Sequence, residues 1–238
     1  MASDYYDDNA QSFYDSTVNV DMEGLYSKFL PIVGDKGKIL DLGCGSGRDA
    51  KHFIDLGYEV DAIDASKEMV RLASIKSGLE VRHMTFEQFM PAFKYDGIWA
   101  CASLLHVEPN DLKKLFARIS KWLNTSGVLY VSFKYGDGVR AKDGRTFTDM
   151  DERLLKGFLH GTDLVKCASH GTNGTLAGHV LCCLCHINGT GQDTPLRGVR
   201  CPVWVYPPTM AKITHPYEVD LIRTQFNRHS NWLQCNAI

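Results

Sequence analysis

The residues best placed to do chemistry lie between positions 41 and 64. Gly43, Gly45 and Gly47 alternate in the segment G-C-G-S-G, directly behind the apolar run "KILDL". Glycines in such a turn let the backbone pass close to a ligand and adopt positive φ. The dinucleotide pattern G-x-G-x-x-G needs a glycine at position 48, and this chain has Arg48 there. Asp41, two residues ahead of the first glycine, sets a carboxylate where a pyrophosphate would be repelled. The same carboxylate suits a ligand that carries an ammonium or sulfonium group. Asp64 ends the next apolar run, where an acid can accept both hydroxyls of a ribose. It can equally begin a helix and favour the helix dipole. Taken together, the turn and its two acids describe a site for a cationic nucleoside and disfavour NAD.

These residues need elements to hold them. "KILDLG" reads as a buried strand, "GRDAKHFIDLG" as a helix with Ala50, Phe53 and Ile54 inward and Gly57 as its stop, and "YEVDAID" as a second strand. "SKEMVRLASIKSG" is a helix capped by Ser66 and ended by Gly78. "LEVRHM" and "YDGIWACASLL" are expected as the third and fourth strands, and "GVLYVSFKYG" as the fifth. Between the last two, "NDLKKLFARISKWLN" carries the stripe Leu112, Leu115, Phe116, Ile119 and Leu123. A helix is also expected over "MEGLYSKFLPIV", ending at Gly34. Strands alternating with such helices imply right-handed βαβ units, hence an α/β fold with a doubly wound, mostly parallel sheet. The glycine turn then falls at the carboxyl end of the first strand, where such sheets bind ligands.

The segment "ILDLGCGSGRDAKHF…GYEVDAIDASKEMVRLA" resembles the first two motifs of class I S-adenosylmethionine (SAM)-dependent methyltransferases, a family with a Rossmann-like sheet. It is most similar to the small-molecule branch that includes tellurite-resistance-type enzymes. The likeness extends to "YDGIWACASLLHV" and "LNTSGVLYVSFKYG", and so covers about residues 4 to 152. It implies that Asp41 and the turn Gly43, Cys44, Gly45, Ser46 and Gly47 hold the methionine portion of SAM. It implies too that Asp64 holds the ribose and that Ala65 and Met69 lie near the adenine. Met84, Thr85 and Phe86 match the segment flanking the adenine. The acid often found there is missing, which leaves that contact to backbone groups and packing.

Methyl transfer from a sulfonium is an in-line displacement, so positioning supplies much of the rate, and a general base is needed only for an acceptor proton of high pKa. Cys101 and Ser103, after the fourth strand, are expected to line the cofactor. His106 is a candidate base or acceptor-orienting group, with a helix-start packing role as the alternative. Tyr135 and Lys134 are candidates for the pocket rim. The resemblance makes the aromatic stretch "DYYDDNAQSFYD" a lid with Tyr5, Tyr6 and Phe13 as shielding rings, against the plainer reading of a frayed terminus.

Three regions follow: a lid over 1–21, a SAM-binding core over 22–160, and a divergent Cys/His-rich portion over 161–238. The last region holds six of the eight cysteines and little helical patterning. "LVKCA", "HVLCCLCHI" and "CPVWVYP" are expected as short strands that only partly complete the sheet. Cys182 and Cys185 are spaced as a metal pair, with His179 and Cys201 as conceivable partners, but no second compact pair exists, so no metal is expected.

The 238 residues are 44% hydrophobic and 23% charged with a net charge of -2, the composition of one globular domain without a nucleic-acid footprint. No N/D-P-P-Y/W segment follows the fourth strand, which further disfavours nucleic acid as the methyl acceptor. Neither a signal-peptide pattern nor a membrane-length apolar run is seen, so a cytoplasmic location is expected. The leading expectation is a SAM-dependent methyltransferase acting on a small molecule. The alternative is a non-catalytic or degenerate SAM-binding protein that works through a partner.

Overall fold

The computed structural model describes residues 2–171 and 180–187. Its centre is a seven-stranded sheet in the order β3-β2-β1-β4-β5-β9-β8. The strands β1 (Lys38–Leu42), β2 (Glu59–Asp64), β3 (Arg82–His83), β4 (Tyr95–Ala100) and β5 (Leu123–Lys134) run parallel. The last two, β8 (Leu164–Gly171) and β9 (Val180–Ile187), are antiparallel to their neighbours. The expected doubly wound, mostly parallel sheet is therefore the observed one, and two of the late strands complete it. "CPVWVYP" lies outside the described residues.

Strand periodicity divides the core between the two faces of the sheet. Ile39, Trp99, Val128 and Tyr130 pack on one face, with Leu25, Tyr26 and Phe29 of α3 (Glu23–Val33) and Phe53 of α4 (Arg48–Asp55). Leu40, Leu42, Ile98, Leu129 and Val131 pack on the other, with Leu112, Leu115, Phe116 and Ile119 of α6 (Pro109–Trp122) and Leu155 and Leu159 of α7 (Glu152–Leu159). The helix α5 (Lys67–Ser77) is bounded as its sequence indicates. The Ser66 hydroxyl accepts from the Met69 N–H at 3.1 Å, and Gly78 takes a left-handed φ of 78°.

Several boundaries differ from expectation. The third strand shrinks to Arg82–His83 because the donors before it are taken elsewhere. The N–H groups of Leu79 and Val81 donate at 3.2 Å to the Ser77 and Ser74 hydroxyls of α5. The fourth strand stops at Ala100, since Ala102 turns the chain with φ 51°. Leu123 belongs to β5 and not to α6, because it pairs with Tyr95 and extends that strand backwards; it stays buried either way.

Two features were not anticipated as regular structure. Residues 2–17 hold two helices, α1 (Ala2–Asp8) and α2 (Ala10–Thr17). A hairpin of β6 (Val139–Lys142) and β7 (Arg145–Thr148) also follows β5. Its turn is Asp143-Gly144, both residues at positive φ, the pairing that two-residue hairpins favour. Among the described residues, no helix is long and apolar enough to cross a membrane.

Candidate active site

The glycine turn begins where β1 ends, and Gly43 and Cys44 both donate backbone N–H groups to the Ile63 carbonyl at 3.0 Å. A side chain at Gly43 would collide with Ser103, its Cβ falling 2.5 Å from the Ser103 Cβ. Ser103 is fixed there by donating its hydroxyl to the Leu42 carbonyl at 2.6 Å. Gly47 has φ 72°, and a Cβ on it would stand 2.8 Å from the Ala73 Cα of α5. The close helix packing that a glycine at position 48 would have provided is thus provided one residue earlier, by Gly47. Arg48 points away from this packing, so its bulk obstructs nothing. Its guanidinium forks onto the Asp49 carboxylate at 2.6 and 2.9 Å and donates to the Thr17 carbonyl at 3.1 Å.

Asp41 is buried on the face of the sheet that carries α4, and one of its oxygens accepts from the Ala50 N–H at 3.1 Å. Burial raises its pKa well above the usual carboxylate range, and the neighbouring Asp49 charge adds to the rise. The Cys44 side chain packs among the apolar residues of the same face, so its backbone is what it offers a ligand. Ser46 is buried beside it.

Asp64 occupies the carboxyl tip of β2 and shapes the turn across from it. One oxygen accepts from the Gly45 N–H and the other from the Ser66 N–H, each at 2.9 Å. Burial raises its pKa, opposed by those backbone donors. Ala65 follows, its carbonyl 3.0 Å from the His83 ring. Met69 lies beneath the N-terminal helices with Ala10 and Leu72. The Thr85 N–H is taken by the Gln88 side chain at 2.9 Å, whereas the Phe86 ring lies against Gly43.

The N-terminal segment is held over this turn at several points. Phe13 approaches within 3.5 Å of where a Gly45 Cβ would stand. The Asp7 carboxylate accepts from the Ser66 hydroxyl at 2.6 Å and the Glu68 N–H at 3.1 Å. Tyr6 packs edge-on against Phe13 and His106. The segment is docked, not frayed.

His106 ends a 3₁₀ turn, Leu104–His106, that follows the strained Ala102. Its Nδ1 lies 2.9 Å from the Thr146 carbonyl, which can only accept, so Nδ1 carries the proton. The opposite nitrogen, Nε2, then presents its lone pair to the Tyr6 hydroxyl at 2.8 Å. Burial lowers the His106 pKa, and the nearby Arg145 charge lowers it further against the pull of the Thr146 carbonyl. This is a neutral, oriented imidazole, the arrangement a general base needs. Arg145 completes the group by donating to the Tyr6 hydroxyl at 3.3 Å. Neither Arg145 nor the Thr146 carbonyl was singled out from the sequence. The available signal was the D-G pair in "VRAKDGRTFT", which marks a hairpin folding back on the site.

Cys101 is half-buried, with its Sγ 3.9 Å from the Ser132 hydroxyl, which accepts from the Ala102 N–H. Tyr135 is exposed and donates to Glu152 at 3.0 Å. Cys182 and Cys185 lie on β9, whereas His179 and Cys201 fall outside the described residues.

A family profile described as a methyltransferase domain matches residues 39–127. The chain is 30% identical over 131 residues to a Bacillus subtilis (strain 168) protein named "Putative methyltransferase YqeM", covering 50% of this chain and 52% of that one. It is 27% identical over 100 residues to a ubiquinone biosynthesis O-methyltransferase of Rhodopseudomonas palustris (strain BisB5), covering 40% of this chain and 39% of that one. The chain thus spans about half the length, or less, of these curated relatives. Among solved structures, a Burkholderia thailandensis 1,6-didemethyltoxoflavin-N1-methyltransferase, bound to its namesake compound and S-adenosylhomocysteine, superposes with a TM-score of 0.59 at 22% identity. The match covers 78% of this chain and 88% of that one. At that identity the likeness establishes the fold.

Proposed function

We propose that this protein, whose residues 39–127 match a methyltransferase-domain profile, is a class I SAM-dependent methyltransferase that transfers a methyl group from SAM to a small-molecule acceptor, with His106 as general base. The observation that carries this reading is the geometry of Asp64. Its oxygens accept from the Gly45 and Ser66 N–H groups, with the Ala65 N–H also directed at it, and a carboxylate offers about four acceptor sites, so capacity remains for a ribose hydroxyl. The cofactor fits the residues present, and when bound it supplies a methyl carbon on a sulfonium leaving group.

The chain's own residues do the rest. Gly43 to Gly47 give close backbone approach for the methionine portion, and Asp41 supports the turn from beneath by holding the start of α4. Ala65, Met69, Thr85 and Phe86 flank the adenine, and Cys101 and Ser103 line the wall next to the turn. His106 takes the acceptor's proton at Nε2 while the Thr146 carbonyl holds its ring in place. Residues 1–21 act as the lid that excludes water, residues 22–160 are the cofactor-binding core, and the region from 161 onward is the divergent remainder.

Calorimetric titration with SAM tests the reading, with Asp64→Ala as the control. Sub-millimolar binding by the wild type and its loss in the variant are expected, followed by release of S-adenosylhomocysteine on an acceptor panel. Absence of SAM binding would overturn the proposal. Binding without turnover would favour the non-catalytic reading, in which the protein acts through a partner.

A further inference from the structure

Arg145 has no task in the reading above, yet it is the buried cation of the site. Its side chain is 12% exposed. Its Nε is shut off from solvent and has no hydrogen-bond acceptor among the described residues. One terminal nitrogen donates to the Tyr6 hydroxyl at 3.3 Å. The other reaches the Asp143 carboxylate at 3.3 Å, on a side chain that is itself 50% exposed. The guanidinium lies 3.7 Å from the Tyr5 ring centroid and 5.1 Å from that of Phe147.

A guanidinium presents five donors, and its desolvation is offset only when anions and acceptors meet them. One solvent-facing carboxylate at the edge of hydrogen-bond range does not do this. Buried donors without a partner are rare in folded proteins, and a ligand is among the reasons they persist. The same guanidinium donates through a terminal nitrogen to the Tyr6 hydroxyl, which reaches Nε2 of the oriented base. The rings of Tyr5 and Phe147 on the cation favour a flat partner.

We propose that Arg145 is the recognition residue for an acceptor bearing a carboxylate. The carboxylate takes Nε and the terminal nitrogen on the same edge, displacing the solvent-facing Asp143 from it, and the acceptor's hydroxyl reaches Nε2 of His106. Two parallel N–H···O bonds of this kind are the strong, geometrically selective form of arginine–carboxylate recognition. The Tyr6 hydroxyl yields Nε2 of His106 to the acceptor. The inference rests on the methyltransferase reading of the same site and narrows its substrate class.

The test uses salicylate and salicylamide, which share ring and hydroxyl and differ in the anionic group. Each is titrated calorimetrically into the full-length protein, with and without saturating S-adenosylhomocysteine. The wild type is expected to bind salicylate at least about tenfold more tightly than the amide, consistent with charge-assisted bidentate pairing. Arg145→Met is expected to abolish that preference while leaving S-adenosylhomocysteine affinity unchanged. Tyr5→Leu removes a ring but keeps the guanidinium, and is expected to preserve it. Equal or undetectable binding of both probes by the wild type overturns the proposal. So does a preference that survives Arg145→Met, or one lost equally in Tyr5→Leu, which would make Arg145 a staple for the lid. Loss of S-adenosylhomocysteine binding with the salicylate preference intact would instead overturn the proposed function.

Discussion

The hydroxyl of Tyr6 lies 2.8 Å from Nε2 of His106, a residue 100 positions further along the chain. This bond joins the N-terminal helices to the loop at the carboxyl end of β4. It also identifies the nitrogen that faces the site. Because Nδ1 donates to the Thr146 carbonyl at 2.9 Å, Nε2 is the nitrogen that carries the lone pair, which here accepts from the Tyr6 hydroxyl.

His106→Gln is expected to lower kcat by about 10²- to 10⁴-fold, the usual contribution of a positioned base. SAM affinity should stay near the wild-type value. Since burial lowers the His106 pKa, the base is lost only as pH falls below the ordinary histidine range. The acid limb of a kcat/KM profile should therefore lie below about pH 6.5, and it should vanish in the variant. A limb at higher pH, or one that survives the substitution, assigns the base elsewhere.

Asp64→Ala is expected to weaken SAM binding by about 10- to 100-fold, as a hydrogen bond to a charged group is worth about 1.5–3 kcal/mol. The raised pKa of Asp64 adds a pH signature. As pH falls, the carboxylate becomes protonated earlier than an ordinary aspartate, so wild-type affinity should begin to drop above pH 4. Calorimetry across pH reads both effects.

Gly47→Ala and Gly24→Ala should shift stability in opposite directions. At Gly47 a new Cβ meets the α5 backbone at 2.8 Å and φ is 72°. Left-handed strain of about 1–2 kcal/mol and a similar overpacking cost should lower the melting temperature. At Gly24, in α3, nothing lies within 4 Å of the added atom. Replacing that helical glycine should stabilise the protein by about 0.5–1 kcal/mol. Thermal denaturation of both variants provides the comparison.

Asp49→Ala is expected to destabilise the fold by about 3–5 kcal/mol. The buried Asp49 carboxylate accepts from the Tyr26 hydroxyl, from Trp99 Nε1 at 2.8 Å and from Arg48 at 2.6 and 2.9 Å. Removing it strands a guanidinium, a phenol and an indole N–H beside the glycine turn. Denaturant unfolding measures the loss, and SAM affinity should fall with it, because α4 begins at Arg48.

Much of the candidate site was legible in the chain because its signals are local. Gly43, Gly47 and Ser66 are read from backbone conformation and capping, which depend on a few neighbouring residues. Asp64 follows from its place at the end of an apolar run. The role of Gly47 in tight packing against Ala73 was not legible, since it depends on how α4 and α5 lean together. The late start of β3 was hidden for a similar reason. Serine hydroxyls on α5 take the donors of Leu79 and Val81, and no pattern within "LEVRHM" reports that.

The sequence by itself determined the α/β order, the glycine turn with its two acids, and hence the class of ligand the first half of the sheet can hold. Local propensity and hydrophobic period specify these, because each depends on residues close along the chain. Only the tertiary structure decided the chemistry on the acceptor side. Tyr6, His106, Arg145 and the Thr146 carbonyl come from three distant segments, joined by bonds of 2.8 to 3.3 Å. Which nitrogen of His106 carries the proton, and whether Arg145 finds its anion within the fold, are properties of that assembly. They depend on burial and on partners brought together by folding, which residue spacing along the chain does not encode.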